Sequence, residues 1–392
     1  MSTTTSFSKA VPSFIHLDMA RGLAALVVLI GHLRSFVFLS YGDLKSHTPI
    51  DIVVWAITGF GHQAVMLFFV LSGFFITRSI LVDDSTKGFT WPIYLIKRLT
   101  RLWIVLLPCL VLTLLCDRIG MSLSGMQFYD GQLYGMYNSG PNSETGGIHL
   151  DFSTFFGNLF FLQTIIAPIF GSNGPLWSLA NEFWYYLMFP LLYIAVTRRW
   201  NWWLIAVNLA LFVVTCLFVG RYMASSGLIW GAGALSYIIY DRGWFAKALG
   251  TYTALGTSMT LLLFSLAVSK SNYGTDFAKD FFIGLAAASL VLVLARYEGD
   301  SAAYHKSART LANCSYTMYL VHFPFMALLV NVILHNNKFE ASFLGYSVFM
   351  GLGLVTLIYC YMIYWLFERH TGKIRRYCLS KYKQATSGAL RA

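Results

Sequence analysis

Apolar residues fill most of this chain in long stretches that are separated by short polar or basic segments. A stretch of about 20 apolar residues is long enough to cross a bilayer as an α-helix. The sequence therefore predicts an all-α polytopic membrane protein with about ten transmembrane helices, at residues 15–39, 54–81, 102–116, 176–196, 203–220, 228–240, 249–268, 281–294, 311–334 and 343–367.

One further apolar stretch, residues 154–170, is short and ends in the turn Gly171-Ser172-Asn173-Gly174-Pro175. We predict that it enters the membrane and returns without crossing. Only then do the basic clusters share one side, which the positive-inside rule makes cytoplasmic. These clusters are Lys97/Arg98/Arg101, Arg198/Arg199, Arg242/Lys247, Lys306/Arg309 and the tail.

The domain division follows from this topology. Residues 1–14 are expected to be a cytoplasmic segment, 15–368 a membrane domain and 369–392 a basic cytoplasmic tail, with residues 117–153 as a long polar loop. Both termini are then cytoplasmic. Because the net charge of +11 comes from loops that set topology, it does not indicate nucleic-acid binding.

Composition supports the membrane assignment, since 57% of residues are hydrophobic and only 11% are charged. Soluble domains carry about a quarter charged residues. The six cysteines form no CxxC or Cys/His ligand spacing, so we expect neither a metal site nor a disulfide framework.

The first predicted span carries two ionisable residues, Arg21 and His32. They are eleven residues apart, which places them within roughly 20° on one helix face and roughly 16 Å apart along the axis. Ionisable groups at membrane depth usually mark a functional site. The alternative is an arginine that reaches the headgroups and a histidine bonded to a neighbouring helix.

Glu182 is an acid inside another apolar span, at a depth comparable with that of His32. A Glu–His pair would orient the imidazole and raise its basicity. Trp177, near the start of the same span, could stack on a sugar or belong to an interfacial aromatic belt. His62 could reach the same cavity, although an interfacial position suits it better.

Two other motifs could carry chemistry. Arg98 and Arg101 share a helix face beside Lys97, which suits either a phosphate-binding fork or simple topology anchors. Ser72-Gly73 permits close helix packing. Tyr316, Tyr319 and His322 recur every three residues, which predicts a polar stripe that serves either catalysis or an inter-helix seam.

Together these residues resemble the integral-membrane acyltransferase-3 family. The resemblance rests on Arg21-x10-His32, Phe-Phe-x-Leu-Ser-Gly-Phe at 68–74, Arg98-x-x-Arg101, Leu-Trp-Ser-Leu-x-x-Glu at 176–182 and Ser-Tyr-x-x-Tyr-Leu-x-His at 315–322. It covers about residues 15–368. Many relatives have two acids in the fourth motif, whereas Asn181 stands at the first position here, so any acid role falls on Glu182.

The resemblance implies transfer of an acyl group, usually acetyl, from cytosolic acyl-CoA to a hydroxyl of a surface polysaccharide or lipid-linked glycan. The expected setting is the bilayer of a cell membrane, such as a bacterial inner membrane, and no cofactor is expected to be permanently bound. Lys97, Arg98 and Arg101, with Arg21, would meet the donor's phosphates. The sequence leaves the oligomeric state and the acceptor sugar open.

Our hypothesis is that His32 deprotonates the acceptor hydroxyl while Glu182 orients or charges it. Tyr316, Tyr319 or His322 would hold the thioester carbonyl, and Ser72 and Trp177 would contact substrate. An acyl-His32 intermediate is a variant. The alternative class is a proton-coupled secondary transporter of a small polar or sugar-like solute, which buried His, Glu and Arg would also suit. Against it, the chain has no matching halves with broken spans.

Overall fold

The computed structural model describes residues 14–137, 140–197, 201–299 and 301–389. This part of the chain is helical and contains no β-strand beyond isolated bridges. The helices are α1 (Ile15–Val37), α2 (Pro49–Thr58), α3 (Gly61–Lys87), α4 (Trp91–Ser124), α5 (Tyr134–Tyr137), α6 (Phe152–Leu159), α7 (Leu176–Thr197), α8 (Trp202–Asp241), α9 (Ala246–Leu249), α10 (Tyr252–Ser269), α11 (Asp276–Leu294), α12 (Ala302–Leu334), α13 (Phe343–Leu366) and α14 (Thr371–Ala389).

Nine helical segments of the described residues are long and apolar enough to cross a membrane, which confirms the all-α polytopic fold. One of them, α8, has 40 residues and is broken at Gly220, whose φ of 80° is readily available only to glycine. Phe218 and Met223 flank the break, and both contact the same part of α7, through Trp184 and Tyr185. Gly220 therefore divides α8 into two helical arms, which both pack against α7.

Several helices are longer than predicted. α4 continues to Ser124, so Asp117 lies inside it, fully buried, rather than in a polar loop. α12 begins at Ala302 instead of residue 311, and the basic tail forms the helix α14. Polar residues show where an apolar stretch ends, but the backbone hydrogen bonds of the helix can continue past those residues. Residues 1–13 of the predicted segment 1–14 and the cluster Arg198/Arg199 lie outside the described residues, whereas Phe14 is buried at the start of α1.

The short apolar stretch before α7 does not form a helix long enough to cross the membrane, as predicted. α6 has only eight residues, and the chain then comes back without a second helix of its own. Asn158 ties the two arms together: its side chain donates to the carbonyl of Pro168 at 2.9 Å and accepts from the backbone N–H of Phe170 at 3.1 Å. Non-helical backbone at this depth is tolerable because these groups are satisfied by protein.

The central helices are held in direct backbone contact by glycines. A Cβ built on Gly73 of α3 would lie 2.0 Å from the Trp230 carbonyl oxygen of α8, and one on Gly233 would lie 1.9 Å from that of Val70. A Cβ on Gly22 of α1 would meet Leu311 of α12 at 2.5 Å. Small residues at such crossings let membrane helices approach closely. The first arm of α8 and α10 are instead largely exposed on the outside of the bundle.

Candidate functional site

A cavity of about 110 Å³ lies at the centre of the bundle, between α1, α3, α4, α7 and α12. It brings together residues of all five motifs that the sequence singles out, although these are spread over about 300 residues. Its polar lining residues are Arg21, Ser72, Arg98, Arg101, Ser178, Glu182, Tyr186, Ser315, Tyr316 and Tyr319.

Three arginines form the end of the cavity that faces the predicted cytoplasmic side, and we call this end the basic mouth (Arg21, Arg98 and Arg101). Arg21 pairs with Asp18 at 3.1 Å. Arg98 donates to the Ser79 hydroxyl at 2.6 Å and lies over the Tyr94 ring. Arg101 makes no hydrogen bond to the described residues, and the charges of Glu182 and Glu368 both act on its guanidinium.

Lys97 does not belong to the basic mouth. Its ammonium forms a salt bridge with Asp83 at 2.6 Å and is not part of the cavity lining. One residue along a helix is a rotation of about 100°, which separates Lys97 from Arg98. Its expected contact with the donor is therefore not supported by its position.

Glu182 occupies the middle of the cavity. It accepts a hydrogen bond from Ser72 at 3.2 Å and another from the Tyr186 hydroxyl. Trp230 of α8 in turn donates to Ser72 at 3.1 Å. Arg101 and Arg21 both lie within electrostatic range of this carboxylate. The expected Glu182–His32 pair is wrong, because α7 presents Glu182 to α3 and to the arginines.

Glu368 is a partly buried carboxylate near the basic mouth that the sequence analysis did not single out. Its carboxylate accepts from the backbone N–H and the hydroxyl of Thr317, at 3.0 and 2.6 Å. It also acts electrostatically on Arg21 and Arg101. In the predicted domain division it is the last residue of the membrane domain, directly before the basic tail. An acid directly before Arg369 and after an apolar span was the available signal.

The partner of His32 is His322. Nδ1 of His32 lies 2.8 Å from Nε2 of His322, and Nδ1 of His322 lies 2.8 Å from the carbonyl oxygen of Met318. A carbonyl can only accept, so with both rings neutral Nδ1 of His322 carries a proton and its Nε2 accepts from His32. Nε2 of His32 then holds a free lone pair and has no hydrogen bond to the described residues. The arrangement gives a base with a fixed tautomer.

The histidine pair lies directly behind the far end of the cavity. The His322 ring is 6.3 Å from that of Tyr319, and Tyr319 lines the cavity beside Phe68, with ring centroids 5.6 Å apart. Phe323 packs edge-on against His32 at 5.1 Å. His32 is thus inside the bundle, separated from the cavity by aromatic side chains.

The tyrosines of the α12 stripe make inter-helix contacts. Tyr316 donates to the Leu102 carbonyl of α4 at 3.1 Å. Tyr319 bonds Ser178 of α7 at 2.7 Å and the Pro175 carbonyl at 3.2 Å. Both hydroxyls are occupied by protein, so the geometry favours the seam over their expected role in holding a thioester carbonyl.

Trp177 and His62 lie away from the cavity lining. Trp177 packs edge-on against Phe69 at 6.1 Å and is stacked near His62. His62 is exposed and pairs with Asp280 at 2.9 Å. His62 therefore does not share a site with His32, and a substrate contact for Trp177 would require a route other than this cavity.

The chain is similar in sequence to known acyltransferases. Residues 14–365 match the family described as an acyltransferase domain. Acyltransferase MdmB of Streptomyces mycarofaciens is 27% identical over 373 residues, a match that covers 86% of this chain and 84% of that protein. No solved structure matches the chain.

Proposed function

Because the chain belongs to the acyltransferase domain family and is accordingly a membrane acyltransferase, we propose that it transfers acetyl from acetyl-CoA to a hydroxyl of a carbohydrate. The donor enters from the cytoplasmic side of a cell membrane, and His32 is the general base. The carbohydrate, a surface polysaccharide or a lipid-linked glycan, is proposed from the family resemblance.

One observation carries this proposal: a single cavity extends from three arginines to the wall behind which the His32–His322 pair lies. Guanidinium groups bind phosphates bidentately, so the basic mouth suits the nucleotide end of acyl-CoA. The arm that carries the thioester then points towards the histidines. A cavity of about 110 Å³ supports a short acyl chain over a long one.

The histidine pair supplies the proton transfer. Nε2 of His32 removes the proton of the acceptor hydroxyl while its oxygen attacks the thioester carbonyl. The carbon–sulfur bond then breaks, and the CoA thiolate takes the proton from the His32 imidazolium. His322 accepts from Nδ1 of His32 throughout and so keeps Nε2 as the basic nitrogen. In the alternative mechanism, His32 itself is first acylated by the thioester, and the acyl group then passes to the acceptor hydroxyl.

The aromatic wall gives the chemistry a specific requirement. Tyr319 is held by Ser178 and Pro175, whereas Phe68 has only ring contacts among the described residues. The proposal therefore requires the aromatic wall to move so that the thioester meets His32, and Phe68, which makes no hydrogen bond through its side chain, is the part of the wall that we expect to move. Such gating steps are common in enzymes that exclude water from a reactive intermediate.

The test uses membrane vesicles that contain the protein and its native glycans, supplied with radiolabelled acetyl-CoA. His32→Ala should reduce transfer to glycans by about 10²- to 10⁴-fold, the usual contribution of a general base. The matched control is His62→Ala, which removes an exposed histidine outside the cavity and should transfer at the wild-type rate.

Wild-type transfer by His32→Ala would refute the role of His32. Release of free CoA thiol that needs no acceptor would count against direct transfer, and label retained on His32 would favour the acyl-enzyme variant. If glycans from cells with and without the gene have identical masses, the carbohydrate acceptor is wrong.

A further inference from the structure

The helix α14 has one face against α4, the helix that carries Arg98 and Arg101. Thr371, Cys378 and Tyr382 are half-buried and recur at spacings of seven and four residues, which defines a single stripe. Arg375 lies on this stripe, four residues after Thr371 and three before Cys378. Arg375 itself is exposed, so its guanidinium is accessible to a ligand while this face of the helix is directed towards α4.

Arg375 faces other cations across this contact. Its charge interacts with those of Arg98 and Arg101 on α4 and of Arg376 on its own helix, and no carboxylate is among the charges that act on it within the described residues. The nearby acids, Glu182 and Glu368, act instead on Arg101 and Arg21 inside the cavity. Arg375 thus adds a further cation at the opening of the basic mouth, where Glu182 and Glu368 act on the charge of Arg101 and not on that of Arg375.

Such a cluster is unfavourable by itself, since like charges close together repel. A bound anion would remove that repulsion and use the bidentate geometry of arginine. We propose that Arg375 completes, with Arg98 and Arg101, a phosphate site that binds the nucleotide end of the acyl-CoA donor. This inference rests on the proposed function, and it makes the tail helix part of the donor site.

A lipid headgroup could supply the same phosphate chemistry. The position of Arg375 favours the donor, because Arg375 lies on the stripe against α4 and beside two residues that line the cavity. A residue that serves only the bilayer surface would suit the opposite side of α14. Lys373 is two residues away, a rotation of about 160° from Arg375, so the two exposed side chains lie on opposite sides of the helix.

The test measures CoA binding by calorimetry to the full-length protein purified in an uncharged detergent. Arg375→Ala should weaken CoA binding about tenfold or more, since one charge-assisted phosphate contact is lost. The matched control Lys373→Ala removes one charge from the same helix and should change affinity less than twofold. Arg375→Lys should recover part of the loss, because it keeps the charge but not the fork.

Thermal unfolding gives a second readout that separates binding from a structural role. Without CoA, Arg375→Ala should unfold at or above the wild-type temperature, because a repulsion is removed. With saturating CoA it should gain less stability than wild type. A variant that unfolds earlier in both conditions would overturn the inference in favour of simple helix packing.

The remaining outcomes are distinct. If wild type binds CoA and Arg375→Ala binds it equally, the inference is wrong while the proposed donor stands. If CoA affinity is unchanged but activation by phosphatidylglycerol vesicles is lost, Arg375 serves lipid and the inference is overturned. If wild type binds no CoA at all, the proposed donor itself fails, and this site fails with it.

Discussion

Replacement of His322 by alanine tests the chemical core of the site without touching the proposed base. In the wild type, Nδ1 of His32 is 2.8 Å from Nε2 of His322, and His322 is fully buried. The substitution removes the acceptor, so Nδ1–H of His32 loses its partner in a water-poor interior. The tautomer that leaves Nε2 free is then no longer fixed.

The expected size of the effect follows from the charge that develops on His32. A hydrogen bond to a charged group contributes about 1.5–3 kcal/mol. Because His32 becomes an imidazolium only during the reaction, this contribution belongs to the transition state and appears in kcat. Each ~1.4 kcal/mol is a factor of ten, so kcat should fall by about 10- to 100-fold while KM for acetyl-CoA stays nearly constant.

The assay is acetyl transfer in vesicles over a range of acetyl-CoA concentrations, with thermal unfolding of each variant as the folding control. His322→Gln provides the conservative comparison, since its amide oxygen can accept from Nδ1–H and should restore part of kcat. A His322→Ala protein that folds normally and keeps the wild-type kcat would refute the relay. A rise in KM with constant kcat would place His322 in donor binding instead.

Three further predictions follow from the same geometry. Arg101→Ala should raise the KM for acetyl-CoA about tenfold or more. The control Lys97→Ala, which breaks only the pair with Asp83, should change this KM less than twofold. Equal effects of the two substitutions would mean that both residues only fix the orientation of the protein in the membrane. Gly73→Ala should lower unfolding stability by about 1–3 kcal/mol, since its Cβ would lie 2.0 Å from a carbonyl oxygen, whereas Gly231→Ala, with open space around it, should be neutral; equal unfolding temperatures would contradict the contact. Burial lowers the pKa of Lys338 from 10.5 to about 8, so the unfolded chain binds more protons between these values and stability should rise with pH in that window; Lys338→Met should flatten the rise, and an unchanged slope would exclude Lys338 as its source.

Much of the fold could be predicted because each apolar stretch records its own membrane crossing. The break at Gly220, which ends the predicted span 203–220, and the absence of a crossing helix from residues 154–170 both follow from this reasoning. The ends of helices did not follow. Asp117 looks like the start of a loop, yet it stays in α4 because Ser172 donates to its carboxylate through both backbone and hydroxyl, each at 2.7 Å.

The membership of the site was also accessible, since buried ionisable residues need partners or tasks. The pairing within it was not. Spacing along one helix fixes the depth and direction of a side chain, but it does not say which helix stands opposite. Glu182 and His32 lie at similar depths, yet α12 supplies the partner of His32, and α3 and α7 supply those of Glu182.

The contact between Gly73 and Trp230 also limits how the helices of the enzyme can move relative to one another. Two main chains that touch without intervening side chains cannot slide past each other. We therefore expect α3 and the second arm of α8 to move as one rigid unit. Ser72, which donates to Glu182, belongs to that rigid unit. We therefore expect the cavity to open to a bulky nucleotide on its opposite side, where α14 packs against α4. The C-terminal helix α14 would then move when the donor enters.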